Sequence, residues 1–253
     1  MDGIYHSLSG AITLEQRLQI VANDLANLNT AGHKRTRIAA GSTYPNGGEV
    51  AATSETEQFG DEIFSQVVTQ QIDFSQGQLR MTGSPTDIAL EGSGFLTVDV
   101  DGETFYTRAG QFELDAAGRL VTRVEERWAP VLGSGGQPLT VGSQEIRISE
   151  SGEITAEDGS VAGTLGVVDF ANPQLLVRAG SALYRNPTDA AGLIDGRSDA
   201  TRVRQGALEM SNADPISCLV EMIEIQRAHQ AIAKAMMTVD EATSRRTSLT
   251  MSS

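Results

Sequence analysis

Cysteine is almost missing from this chain, which has one in 253 residues. Cys218 therefore has no intrachain partner for a disulfide, and it sits on an apolar helical stripe where it reads as a small buried hydrophobe. Histidine is nearly as scarce. His6, His33 and His229 lie far apart, and none stands at ligand spacing to a second His or a Cys, so no metal site is expected. Aromatics are 5% of the chain, thin for a ligand pocket or a base-stacking surface. Positive charge is also short, with 19 Lys and Arg against 33 Asp and Glu and a formal net charge of −14. Nucleic acid is thus excluded as an expected partner, because no basic patch is available to neutralise phosphates. The short cluster Lys34, Arg35, Arg37 is expected to be a solvated helix end. No run approaches the roughly 20 apolar residues of a membrane span. The N-terminus shows no basic region followed by an apolar one, so no cleaved secretory signal is expected.

Catalytic constellations are absent too. Gly133-Ser-Gly-Gly136 lacks the following Lys and Ser/Thr of a phosphate loop and is read as a turn. There is no G-x-S-x-G elbow. The acidic pairs Glu125-Glu126 and Glu157-Asp158 are read as solvated turn residues, and Asp99-Val-Asp-Gly102 as a hairpin turn rather than a calcium loop. No enzyme, catalytic residue, cofactor or metal is predicted. The alternative of another class is a periplasmic or extracellular β-domain that binds or cleaves glycans, since paired acids leave no local signature.

What is present is a chain whose two ends match each other. Ile4, Ser7, Ala11, Leu14, Leu18, Val21, Leu25 and Leu28 recur in alternating steps of three and four, the seam of a helix that packs on helices. From Ile4 to Leu28 such a rod is about 37 Å long at roughly 1.5 Å per residue. Asn27, Asn29, Thr30 and Gly32 favour turn backbone and end it. At the other end, Asp214 is the expected N-cap and Pro215 the first helical residue. Cys218, Met222, Ile225, His229, Ile232, Met236, Val239 and Thr243 continue the second stripe, widened by Ile216, Leu219, Val220 and Ile223. No Gly or Pro interrupts residues 216–253, which favours a coiled coil or bundle over a short surface helix.

Between the ends, residues 38 to about 66 are small and polar and read as a linker or arm. Val67–Phe74 reads as a strand. From Asp87 onward short alternating runs are broken by turn signals: Asp101-Gly102, Asp115–Gly118 and Asp158-Gly159. Thr164–Phe170 reads as one strand. The expected fold is α+β: a central, mainly antiparallel β domain at 86–186, terminal helices at 1–37 and 214–253, a linker at 38–85 and a return linker at 187–213.

Four segments together resemble the bacterial flagellar rod and hook (axial) proteins. They are Ala22-Asn-Asp-Leu-Ala-Asn-Leu-Asn-Thr-Ala-Gly-His-Lys-Arg35, Gly77-Gln-Leu-Arg-Met-Thr-Gly-Ser-Pro-Thr-Asp-Ile-Ala-Leu-Glu-Gly-Ser-Gly-Phe95, Tyr106-Thr-Arg-Ala-Gly-Gln-Phe-Glu-Leu-Asp-Ala-Ala-Gly-Arg-Leu-Val-Thr122 and Gly206-Ala-Leu-Glu-Met-Ser-Asn-Ala-Asp-Pro215. Val220-Glu-Met-Ile-Glu-Ile-Gln-Arg-Ala228 follows the last. The family positions are Asn23, Leu25, Asn27, Thr30, Gly32, Gln226 and Arg227; His33 and His229 stand where aromatics are expected, and Asp24 replaces an Asn. Length and ending are most like the proximal rod type, with a distal rod or hook-type subunit as the alternative. The resemblance implies a structural subunit that transmits torque from motor to hook. Its termini pair into a coiled-coil tube on assembly, through Leu14, Leu18, Val21, Leu25, Leu28, Met222, Ile225, Ile232, Met236 and Val239. It further implies copies of itself, other rod proteins and the flagellar export apparatus as partners, and a place in the periplasmic rod reached without a cleaved signal.

Overall fold

The computed structural model describes residues 2–42, 66–124, 127–142, 146–187, 191–194 and 201–251, without side-chain detail at 2–9, 38–42, 66–69 and 239–251. Most of the expected arm and the Glu125-Glu126 pair fall outside the described residues. The chain divides into two compact units, one of Met1–Leu25, Thr36–Gln71 and Asp214–Ser253, the other of Ala26–Arg35 and Ile72–Ala213.

The first unit holds the terminal helices, α1 (Asp2–Ala26) and α2 (Pro215–Met251), and the strands β1 (Thr36–Ser42) and β2 (Gln66–Ile72), which pair with each other. α1 stops two residues before the last stripe position, Leu28. Thr30 N–H donates to the Asn27 carbonyl at 3.1 Å, and the Thr30 hydroxyl donates to Asn27 Oδ1 at 3.1 Å, so the chain turns instead of adding a helical turn. α2 starts as its caps require. Asp214 Oδ2 accepts from Ser217 N–H at 2.8 Å and from its hydroxyl at 2.6 Å, and Pro215 takes the first helical position, where no N–H is needed. The helices lie antiparallel. Arg17 Nη2 sits 3.6 Å from Glu221 Oε1, and a Cβ placed on Gly10 would lie 3.4 Å from Ile232 Cδ1. Val21, Cys218 and Ile225 are buried.

The second unit is built of short antiparallel strands: β3 (Leu79–Met81), β4 (Ile88–Glu91), β5 (Phe95–Val100), β6 (Glu103–Thr107), β7 (Phe112–Leu114), β8 (Leu120–Val124), β9 (Arg127–Pro130), β10 (Ile146–Ile148), β11 (Glu153–Ala156), β12 (Val161–Thr164), β13 (Val167–Phe170), β14 (Val177–Arg178), β15 (Leu183–Arg185), β16 (Leu193–Ile194), β17 (Arg202–Gln205) and β18 (Ala207–Glu209). The largest sheet runs β14-β15-β6-β5-β13-β16. Asp101 (φ 56°) and Gly102 (φ 85°) both adopt left-handed backbone, the twist a two-residue hairpin needs, and turn β5 into β6. The sheet has two covered faces, as its period of two dictates. Leu96, Val98, Val167 and Leu183 enter one core with Ile88, Phe112, Leu120, Ile154 and Val203. Their neighbours Phe95, Val168 and Tyr184 enter a second with Tyr106 and Phe170. The second core gathers much of the scarce aromatic content edge to face, with centroids 5.4 Å apart for Phe74–Phe95 and 4.8 Å for Tyr106–Phe170.

Two strand expectations change. The single strand over Thr164–Phe170 is broken into β12 and β13. At Gly166 the backbone passes so close to β5 and to Leu132 that a Cβ would lie 2.2 Å from Thr97 Oγ1, and its carbonyl accepts from Thr97 N–H at 3.0 Å. The stretch read as a return linker carries β17 on β4 and β18 on β3.

Candidate assembly face and a buried charge cluster

The predicted interface residues that lie in the first unit sit on the two helices. Val21 and Ile225 are buried; Leu14, Leu18, Leu25, Met222, Ile232 and Met236 are half-buried. Leu14 and Leu18 line one cleft with Ile225 and His229. Val239 lies on α2, where its side chain is outside the described residues. Leu28 lies past the end of α1 and belongs to the second unit. Gln226 and Arg227 are exposed on α2, and Asn23 is exposed on α1. The widening residues of α2 define a separate face. Ile216 is 72% exposed, and Leu219, Val220 and Ile223 are each about half exposed. Four large aliphatics within two turns of one helix form an apolar patch of the kind that marks a protein contact. Asp24, the departure from the family's Asn, is buried, and its Oδ2 accepts from Thr36 N–H at 3.1 Å.

The second unit contains what sequence reasoning missed. Lys34 was expected in solvent; it is 0% exposed. Its ammonium donates to Glu209 Oε1 at 2.5 Å and to the Ser75 carbonyl at 2.7 Å. Glu209 is equally buried and accepts on both oxygens: Oε1 also takes Gly77 N–H at 2.9 Å, and Oε2 takes Arg108 Nη1 at 3.2 Å. Arg108 is buried, donates Nη2 to the Gly92 carbonyl at 2.8 Å, and lies 5.4 Å from the Phe95 ring centre. Burial pushes the Lys34 ammonium below the ordinary lysine value, and the Glu209 carboxylate opposes that shift.

Of the family positions, Gly32 lies at this cluster, together with other residues of the four motif blocks. Gly32 (φ 70°) passes so close to the chain that a Cβ would lie 2.2 Å from Ala109 N, and its own N–H donates to the Glu209 carbonyl at 2.8 Å. A Cβ on Gly77 would lie 2.0 Å from the Met210 carbonyl oxygen. Asn212 accepts Arg35 N–H at 2.7 Å and donates to the Asp73 carbonyl at 2.7 Å. His33 Nδ1 lies 2.7 Å from the Ser181 carbonyl, which can only accept, so this imidazole works as a polar tether. Arg178 donates to the Lys34 carbonyl and lies beside His33. The four motif blocks are thus brought to one place, although Lys34 and Glu209 are 175 residues apart in sequence.

A cleft of about 520 Å³ runs between Thr122, Arg123 and Trp128 on one side and Ser181 and Leu183 on the other. Among the described residues that line it, Glu113 is the one carboxylate.

Comparison with known proteins agrees with this layout. A family model for the flagella basal body rod protein matches residues 4–34, the flagellar hook protein FlgE/F/G D1 domain matches 89–156, and the flagellar basal body rod FlgEFG protein C-terminal matches 204–248. A flagellar basal-body rod protein FlgF of Caulobacter vibrioides is 32% identical over 93% of this chain and 92% of its own length. FlgG of Bacillus subtilis is 30% identical over 95% and 96%, and FlgF of Rhizobium meliloti 30% identical over 92% and 91%. With helical ends, a β unit stitched by the family's motif residues, and likeness over nearly its whole length, the chain belongs to the flagellar basal-body rod protein family as a structural, non-enzymatic subunit of the rod.

Proposed function

We propose that this chain is a proximal rod subunit that joins its neighbours through its terminal helices and so carries torque from motor to hook. The observation that carries the reading is the exposed patch Ile216, Leu219, Val220 and Ile223 on α2, beside a stripe that is buried at Cys218 and Ile225 and half-buried at Met222, Ile232 and Met236. Apolar area left in water by the free chain is gained back on association, at roughly 25 cal/mol per Å² buried. Further pairing of the stripes as a coiled coil on assembly fits their alternating three-and-four spacing. Subunits related by a screw rotation meet through contacts that do not close, which gives a tube. The partners on this reading are copies of the chain, other rod proteins and the export apparatus, with a place in the periplasmic rod. The proximal over the distal assignment draws on the short stretch between Ile38 and Val67. Likeness to both FlgF and FlgG relatives makes it the finer part of the proposal.

The test is Leu219→Glu combined with Ile223→Glu, introduced into the chromosomal copy. Swarming motility and rods in basal-body preparations should be lost, while the purified variant keeps the parent's circular dichroism and melting temperature. Normal rods built from the double variant would refute the assignment of this face.

A further inference from the structure

The β unit is sewn from two distant stretches, Ala26–Arg35 and Ile72–Ala213, and one residue receives thread from both. Glu209 accepts from Gly32 through its carbonyl, and from Lys34, Gly77 and Arg108 through its carboxylate. Around it, Met210 N–H donates to the Gln78 carbonyl at 2.9 Å, and Asn212 joins Arg35 to Asp73. Every one of these partners precedes Glu209 in the chain. Lys34 and Arg108 are both buried, so before Glu209 arrives the seated state would hold two desolvated cations without the one carboxylate that bonds them both, and the weaker Coulombic pull of Asp73 on Lys34 does not replace it, a strongly unfavourable arrangement. The main apolar core does not need it. Apart from Val203, the members of that core lie between Ile88 and Leu183.

We propose that Glu209 is the clasp that completes the β unit, so that the segment following α1 is seated only when the last strand arrives. Closure is thereby deferred to the end of the chain: β5 to β8 form first, and residues 30–35, 75–81 and 206–213 lock together afterwards. The device concerns the folding of a single chain and stands apart from the assembly reading.

The experiment is refolding of the full chain from denaturant, with pulsed hydrogen exchange read by mass spectrometry on peptides. In the parent, residues 95–124 should gain protection in an earlier phase, and residues 30–35, 75–81 and 206–213 together in a later one. Glu209→Gln should slow the later phase at least about 10-fold, or abolish it, and leave the earlier one unchanged. Arg204→Ala, which removes from β17 its exposed ion pairs with Glu91 and Glu150, should alter neither phase. Protection of 30–35 with or before 95–124 in the parent would overturn the proposal. So would a Glu209→Gln variant that slows all peptides alike, loses the earlier phase, or changes none.

Discussion

Replacing Glu209 by Gln changes two heavy atoms' chemistry and almost no volume, so its effect isolates charge. In the parent, one carboxylate satisfies Lys34 Nζ at 2.5 Å, Gly77 N–H at 2.9 Å and Arg108 Nη1 at 3.2 Å. The Gln carbonyl can still accept from Lys34 and Gly77. Its amide then points two donors at the Arg108 guanidinium, which is itself only a donor. The larger loss is electrostatic, because Lys34 and Arg108 stay buried with their common counter-charge removed. Breaking a buried pair from one side costs roughly 3–5 kcal/mol. At about 2–4 °C per kcal/mol for a chain of this size, the melting temperature should fall by roughly 6–20 °C. Scanning calorimetry and urea titration followed by circular dichroism measure both quantities. Arg204→Ala is the internal contrast: Arg204 Nε bonds Glu91 Oε2 at 2.8 Å and Nη1 lies 3.8 Å from Glu150 Oε1, all about half exposed, and each such pair contributes about 0–1 kcal/mol. If Glu209→Gln cost no more than Arg204→Ala, the cluster would not hold the β unit together in the way described.

Further outcomes follow from the same geometry. Gly32→Ala combines left-handed backbone with a Cβ 2.2 Å from Ala109 N, so it should destabilise by roughly 2–5 kcal/mol in urea titration. Burial holds the Tyr184 phenol up to about 12, against an ordinary value of 10.0. Between those two values the unfolded phenol ionises while the folded one keeps its proton, so stability should fall as pH rises from about 10 to 12, by up to roughly 2–3 kcal/mol. Tyr184→Phe should remove that part of the decline; Lys34, whose value is lowered, contributes the opposite slope and is common to both proteins.

Much of the architecture was legible because its signals are local. Asp101-Gly102 turns a hairpin as its residue types demand, Asp214-Pro215 caps α2, and the terminal stripes fall on two long helices. The charge cluster was not legible, because nothing near Lys34 distinguishes a solvated ammonium from one whose partner stands 175 residues later. A signal did exist in the apolar setting of Glu209, a lone acid in Ala207-Leu-Glu-Met210 on a strand buried throughout. The break at Gly166 was hidden for a related reason, since its close approach to Thr97 and Leu132 is a property of packing. Leu28 shows the limit of periodicity: the stripe spacing continues past Ala26, but Asn27 and Thr30 bond to each other and the helix stops.

Whether the apolar face of α2 is left for neighbours can be read directly with a single thiol. Val220→Cys places one on the exposed patch, while the native Cys218 is buried and serves as the unlabelled background. Maleimide labelling of position 220 should be rapid in the purified monomer and suppressed in isolated basal bodies. Equal labelling in both states would contradict the claim that this face is covered by assembly.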